Sequence, residues 1–219
     1  MSNIYSSKPL LVLFQFREIP QFLESVKDLQ IDKLWIRFYP QREAYSIARD
    51  EFLKRTEYTH FLLLTDDVIV DQKNVDQLIE DSSNYEVISG WFNGNLTDHE
   101  LDTNFSFSLP PDPPNRGKYE DYHFEPMQYV SLKMTNIIPV LHQGTALTLI
   151  SRKIIEQVPF RHSEGCCIDS CLSLDLAEKG IKQYVDLRVR TLHLKINDDM
   201  QARISMVGKI DPAIKYSPN

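Results

Sequence analysis

Two adjacent aspartates interrupt an apolar run in this chain, in the sequence HFLLLTDDVIVD from His60 to Asp71. Continuous Leu, Ile and Val residues are typical of a strand that is buried on both faces of a parallel sheet. Because carboxylates are costly inside such a strand, we expect Asp66 and Asp67 to lie at its carboxyl end. Ligands of open α/β sheets bind at that edge. Thr65, Asp66 and Asp67 therefore mark the expected meeting place of a metal and a substrate.

Carboxylate oxygens suit hard divalent cations. Mg²⁺ commonly takes one or two protein carboxylates and completes its shell with water and substrate phosphates, and Mn²⁺ accepts the same ligands. The alternative is that one aspartate of the pair caps the next turn while the other is solvated.

The predicted helix that leads into the acidic strand carries two arginines, Arg42 and Arg49. They are seven residues apart and therefore share a helical face. A guanidinium matches a phosphate with two parallel hydrogen bonds, so either arginine could contact a diphosphate. The alternative for each is a surface salt bridge with Glu43 or Asp50.

A third group of candidate residues lies in the segment CIDSCLSLDLAEKGIKQYVDLRVRTLHL. Asp169 begins a predicted helix, Gly180 ends it, and His193 lies near the end of the strand that follows. Both candidates have structural alternatives, because an aspartate there suits an N-cap and a single histidine at a strand end is usually structural. Asp175 faces away from Asp169 on an ideal helix and is expected to be solvated.

Strands and helices alternate in the first part of the chain. The predicted strands span 10–16, 33–39, 61–70 and 86–92, and the predicted helices span 19–29, 41–56 and 74–82. This order predicts βαβ units, and hence an α/β, Rossmann-like single domain with a mostly parallel central sheet flanked by helices. Further strands are expected at 127–133, 137–150 and 183–194, and further helices at 151–158 and 169–179.

The two remaining segments have weaker patterns. Residues 93–122 hold four of the twelve prolines and form a long loop, which either covers a substrate or partner site or is an irregular connection. Residues 195–219 are expected to be a C-terminal tail.

Composition excludes several classes of protein. The formal net charge of −7 argues against nucleic-acid binding. There is no secretory signal pattern and no apolar stretch long enough to span a membrane, so we expect a cytoplasmic protein, with peripheral membrane contact left open. Cys166, Cys167 and Cys171 are expected to be free thiols, with zinc binding or a loop disulfide as the alternatives.

These groups, in this order, resemble the glycosyltransferases of the GT-A fold, similar to the family 2 enzymes and their relatives. In that family a helix with an A-R-N sequence precedes an apolar strand that ends in D-x-D, and the equivalents here are Ala48-Arg49-Asp50 and Thr65-Asp66-Asp67. The family also has a strand of small residues that leads into a helix, and Gln143 to Leu147 resembles that strand. The family then shows an acidic pair that opens a helix ending in Gly, followed by a strand and a His. Ile168-Asp169 is the equivalent of the acidic pair here, and His193 is the equivalent of the His. The resemblance covers about residues 41–194.

The resemblance implies an enzyme that transfers a sugar from a nucleoside diphosphate sugar to an acceptor hydroxyl on a glycan, lipid or protein. It assigns a Mn²⁺ or Mg²⁺ ion to Asp67, helped by Asp66 and His193, and the catalytic base of an inverting reaction to Asp169. It also divides the domain, 1–194, into a nucleotide-binding half at 1–92 and an acceptor and catalytic half at 93–194.

The chain departs from the family pattern at two acidic positions. Thr65 replaces the first acid of D-x-D, and Ile168 replaces the first acid of the pair before the helix. These changes leave open a non-enzymatic member of the same fold. Another Mg²⁺-dependent α/β enzyme, such as a nucleotidyltransferase, is a further alternative, although the segment after the first strand has no glycine and no P-loop pattern occurs.

Overall fold

The computed structural model describes residues 7–92, 103–110, 125, 135–145, 147–163 and 167–194, together with the backbone of 209–214. The strands are β1 (Pro9–Gln15), β2 (Lys33–Arg37), β3 (His60–Thr65), β4 (Val68–Ile69), β5 (Val87–Trp91), β6 (Phe105–Ser106), β7 (Ile137–Val140), β8 (His142–Gln143), β9 (Leu147–Ser151), β10 (Gln183–Arg190), β11 (Leu192–His193) and β12 (Lys209–Ile214). The helices are α1 (Pro20–Lys27), α2 (Gln41–Leu53), α3 (Gln72–Asp81), α4 (Arg152–Gln157) and α5 (Ile168–Glu178).

Eight of these strands form one central sheet, in the order β12-β2-β1-β3-β9-β5-β10-β7. The strand β1 runs parallel to β2 and β3, and β10 runs parallel to β5. The strands β7, β9 and β12 run antiparallel to their neighbours. Five of the eight strands therefore share one direction, which confirms the predicted α/β fold with a mostly parallel central sheet.

Helices cover both faces of this sheet. Successive side chains of a strand point to opposite faces, so Leu10, Val12 and Phe14 of β1 pack in the cluster that contains α2, α4 and α5, whereas Leu11 and Leu13 pack in the cluster with α1 and α3. All five side chains are fully buried. Burial on both faces explains why β1 and β3 read as continuous apolar runs.

The acidic strand is divided in two. The single strand predicted at 61–70 is wrong, because Asp66 and Asp67 form a turn between β3 and β4. The short β4 pairs with β11 in a separate two-stranded ribbon. The turn brings both carboxylates to the carboxyl edge of β3, as expected from the cost of placing them inside the sheet.

The C-terminal segment also differs from the sequence prediction. The backbone of β12, within the expected tail, pairs antiparallel with β2 at one end of the sheet. The pairing shifts between Asp211 and Ile214, a stretch that includes Pro212, and proline is tolerated mainly on edge strands. Because this strand is short and contains a proline, the sequence shows no clear alternation of apolar and polar residues there.

Other predictions meet the structure only in part. The predicted strand 127–133 and most of the 93–122 loop lie outside the described residues, and β6 pairs with β8 in a second short ribbon. Gly180 follows α5 with a φ of 68°, which confirms the predicted helix stop. Within the part of the chain that the structure describes, no helix is long and apolar enough to cross a membrane.

Candidate functional site

The carboxyl ends of two neighbouring parallel strands build the base of the site. The strands β1 and β3 pair with Phe14 opposite Thr65, so the residues that follow them, Phe16 and Arg17 after β1 and the two aspartates after β3, meet at one edge. A pocket of about 200 Å³ opens there. Its lining residues are Phe16, Arg17, Gln41, Tyr45, Thr65, Asp67, Phe92, Gly144, Thr145, Cys167, Ile168, Asp169 and His193.

Asp66 is a buried anchor for Arg17. Its Oδ2 accepts hydrogen bonds from the backbone N–H groups of Phe16 (2.7 Å) and Arg17 (2.5 Å), and its Oδ1 accepts from Nε (3.2 Å) and Nη2 (2.5 Å) of Arg17. Burial raises the pKa of the Asp66 carboxyl, while the hydrogen bonds and charge of Arg17 oppose that shift. The side chain is fully buried and does not line the pocket, so its role at the metal or the donor stays a prediction that this position does not support.

Asp67 presents its carboxylate to the pocket. Its Oδ1 accepts a hydrogen bond from the Thr65 hydroxyl (2.8 Å), and its Oδ2 accepts one from Nη2 of Arg17 (3.0 Å). The backbone carbonyl of Asp67 accepts from the N–H of Leu194 (2.7 Å), which ties the turn to β11. About a quarter of its side chain (24%) is exposed. Thr65 thus supports Asp67 directly.

His193 reaches the same carboxylate from the β4–β11 ribbon. Its ring stacks on Phe92 with centroids 4.6 Å apart and planes inclined by 10°, and its Nε2 lies 3.8 Å from Oδ2 of Asp67. Burial lowers the pKa of His193, and the charge of Asp67 opposes this shift. The net lowering of the pKa favours a neutral imidazole near pH 7. A neutral imidazole is the form that binds metals.

The start of α5 forms the opposite wall of the pocket. Cys167 is the N-cap residue and makes no side-chain capping bond, and Asp169 lies in the first turn, where its Oδ1 accepts from the N–H of Ser170 (2.9 Å). Asp169 is therefore not the N-cap. Its carboxylate lines the pocket that Asp67 and His193 also line.

A buried phenol backs this wall. Tyr45 is fully buried except where it reaches the pocket, and its hydroxyl hydrogen-bonds with Thr145. Burial raises the pKa of Tyr45, and the hydrogen bond with Thr145 opposes that shift. The phenol therefore stays protonated at neutral pH.

Asp67 and His193 are the residues of this pocket that could hold a divalent cation, with Nε2 and Oδ2 3.8 Å apart. Among the described residues no group of three or more His, Cys, Asp or Glu side chains forms a closed metal site. The Asp67 carboxylate is the ligand type that suits Mg²⁺ and Mn²⁺, whose remaining positions are commonly filled by water and substrate phosphates.

Neither predicted helix arginine lines the pocket. Arg49 donates to the carbonyl oxygens of Ile155 (2.8 Å) and Glu156 (3.1 Å) in the last turn of α4, so its diphosphate contact stays a prediction without support in this position. The Nη2 of Arg42 lies 3.4 Å from Nδ1 of His162 on the exposed surface, outside the pocket. Its predicted diphosphate contact has no support in this position.

Sequence reasoning missed Arg17, the cation that the pocket does contain. The available signal was its place directly after β1, because adjacent parallel strands end at the same edge of a sheet. Asp175 was expected to be solvated, but it forms a two-pronged ion pair with Arg161 (2.7 to 2.9 Å). Cys167 is exposed and Cys171 is buried, and the free thiols expected of this cysteine group stay a prediction.

Comparison with known proteins identifies a fold. No model of a protein family matches the sequence, and no curated protein matches it. The crystal structure of A197 from STIV is similar, with a TM-score of 0.57 over 86% of each chain and 15% sequence identity. At that identity the similarity shows a shared α/β fold.

Proposed function

We propose that this chain is a glycosyltransferase that moves a sugar from a nucleoside diphosphate sugar to an acceptor hydroxyl, with Mn²⁺ or Mg²⁺ as cofactor. One observation carries the proposal: Asp67, His193 and Asp169 come from three distant segments and line a single pocket at the carboxyl edge of the sheet. The acceptor class is a glycan, a lipid or a protein, and the expected location is the cytoplasm. The GT-A resemblance of the sequence supports the same assignment.

The charges around the pocket support a role for a divalent cation. Arg17 supplies one positive charge, whereas Asp66, Asp67 and Asp169 are acidic and His193 is neutral. A diphosphate would meet a net negative pocket and be repelled. A divalent cation held by Asp67 and His193 offsets that repulsion and, when bound, stabilises the charge that develops on the leaving diphosphate.

In the proposed reaction, Asp169 acts on the acceptor and the groups around Asp67 act on the donor. Asp169 takes the proton from the acceptor hydroxyl, which makes the oxygen a better nucleophile. Attack from the side of Asp169, opposite the leaving diphosphate, inverts the anomeric centre. Thr65 holds the Asp67 carboxylate through a hydrogen bond to its Oδ1.

Replacement of the proposed base tests this function. Asp169→Asn should lower Mn²⁺-dependent hydrolysis of UDP- or GDP-sugars by about 10²- to 10⁴-fold while nucleotide binding persists, because the amide cannot accept the proton. Asp175→Asn is the matched control: it changes the same residue type on the same helix, outside the pocket, and should keep full activity.

Two outcomes contradict the proposal. Full activity of Asp169→Asn would remove the base assignment, and nucleotide binding without any hydrolysis by the wild-type chain would favour a non-enzymatic binding protein. The second outcome would agree with the loss of the acids at Thr65 and Ile168.

A further inference from the structure

The Asp67 carboxylate oxygen nearest to His193, Oδ2, already contacts the guanidinium of Arg17. The Nη2 of Arg17 lies 3.0 Å from Oδ2 of Asp67 and 2.5 Å from Oδ1 of Asp66. The Nε2 of His193 lies 3.8 Å from the same Oδ2. A divalent cation shared by Asp67 and His193 would therefore take the carboxylate oxygen that the guanidinium now contacts.

Like charges at this separation oppose one another strongly. A divalent cation and a guanidinium about 5 Å apart repel enough, even at the dielectric constant of water, to change a binding constant by roughly tenfold. The side chain of Arg17 is only 16% exposed, so water screens this repulsion poorly. Arg17 must give up its contact with Asp67 for the metal to bind well.

We propose that Arg17 competes with the divalent cation for Asp67 and so sets the metal affinity of the site. In the metal-free protein Arg17 holds the Asp67 carboxylate, and entry of the metal displaces it from Asp67. This inference rests on the metal site of the proposed function, and it adds a role that neither the D-x-D pattern nor the helix arginines indicated.

Asp66 keeps the displaced guanidinium at the pocket. It accepts from Nε and Nη2 and from the backbone N–H of Arg17, and these bonds do not involve Asp67. The Nη1 group has no hydrogen bond to any residue that the structure describes. Its two N–H donors, together with the N–H that Asp67 releases, suit the oxygens of a diphosphate.

Opposite effects on metal and diphosphate binding follow from this arrangement. In Arg17→Gln, the affinity for Mn²⁺ alone, measured by electron paramagnetic resonance of the free ion, should rise by roughly tenfold. The affinity for inorganic pyrophosphate at saturating Mg²⁺ should fall. Arg17→Lys keeps the positive charge and should leave the Mn²⁺ affinity near that of the wild type.

The outcomes separate this inference from the proposed function. Equal or weaker Mn²⁺ binding by Arg17→Gln would overturn the competition while leaving the metal site in place. Absence of Mn²⁺ binding by the wild type would overturn both. If Arg17→Gln does not fold, the Arg17 Nη2–H resonances of the wild-type protein serve instead: they should shift on addition of Mg²⁺ as the contact with Asp67 is lost, and unchanged resonances would refute the displacement.

Discussion

The two adjacent aspartates should differ sharply in their effect on stability, although they are chemically identical. Asp66→Ala removes a fully buried carboxylate that accepts four hydrogen bonds, and it leaves two backbone N–H groups and a guanidinium without their acceptor. Removing one partner of a buried ion pair costs about 3–5 kcal/mol. For a domain of this size, that corresponds to a fall in Tm of about 6–20 °C.

Asp67→Ala is the matched control for this experiment. Asp67 is 24% exposed, and its loss leaves Arg17 still bound to Asp66, so the free energy of unfolding should fall by no more than about 1–2 kcal/mol. Urea and thermal unfolding followed by circular dichroism, without added metal, measure both changes. Equal losses in the two variants, or a larger loss in Asp67→Ala, would refute the division into a structural and a functional aspartate.

Two further predictions concern the stability of the fold. Burial and the neighbouring Asp186 raise the pKa of Asp81 to about 7, above the unfolded value of 3.8, so its contribution to stability should be lost as pH rises from about 4 to about 7. Asp81→Asn should flatten that part of the pH dependence in urea unfolding. Gly90→Ala should destabilise by about 1–3 kcal/mol, because its Cβ would lie 2.7 Å from Val189, whereas Gly144→Ala, with its nearest contacts at 3.6 Å, should be tolerated. Equal melting temperatures for the two glycine variants would contradict the packing argument.

The sequence was sufficient to predict the parallel strands of the sheet and the edge at which the polar residues meet. Continuous apolar runs, helical spacing and the order of elements indicated β1 to β3 and their helices, because both faces of the sheet are covered. The pairing of Asp67 with His193 came from the GT-A resemblance, and the two side chains line one pocket. The metal role of this pair remains a prediction.

The particular partners of each side chain could not be predicted. Whether Asp66 or Asp67 is buried depends on one position in a turn, and the turn itself was hidden in a sequence that reads as one strand. The face of Arg49 was readable from helical spacing, but its two acceptors lie 106 and 107 residues away in α4. Arg17 shows no motif at all, and only the register of β1 against β3 brings it to the aspartates.

A nucleotide-binding panel tests the proposed donor site most directly. The melting temperature of the wild type and of Asp67→Ala is measured with UDP, GDP, CDP and dTDP, each with and without Mn²⁺. The proposal predicts that one nucleotide at about 100 times its Kd raises the melting temperature by about 5–10 °C, only with Mn²⁺ and only in the wild type. A shift that persists without Mn²⁺ or in Asp67→Ala, or no shift with any nucleotide, would contradict a metal-dependent nucleoside diphosphate site at Asp67.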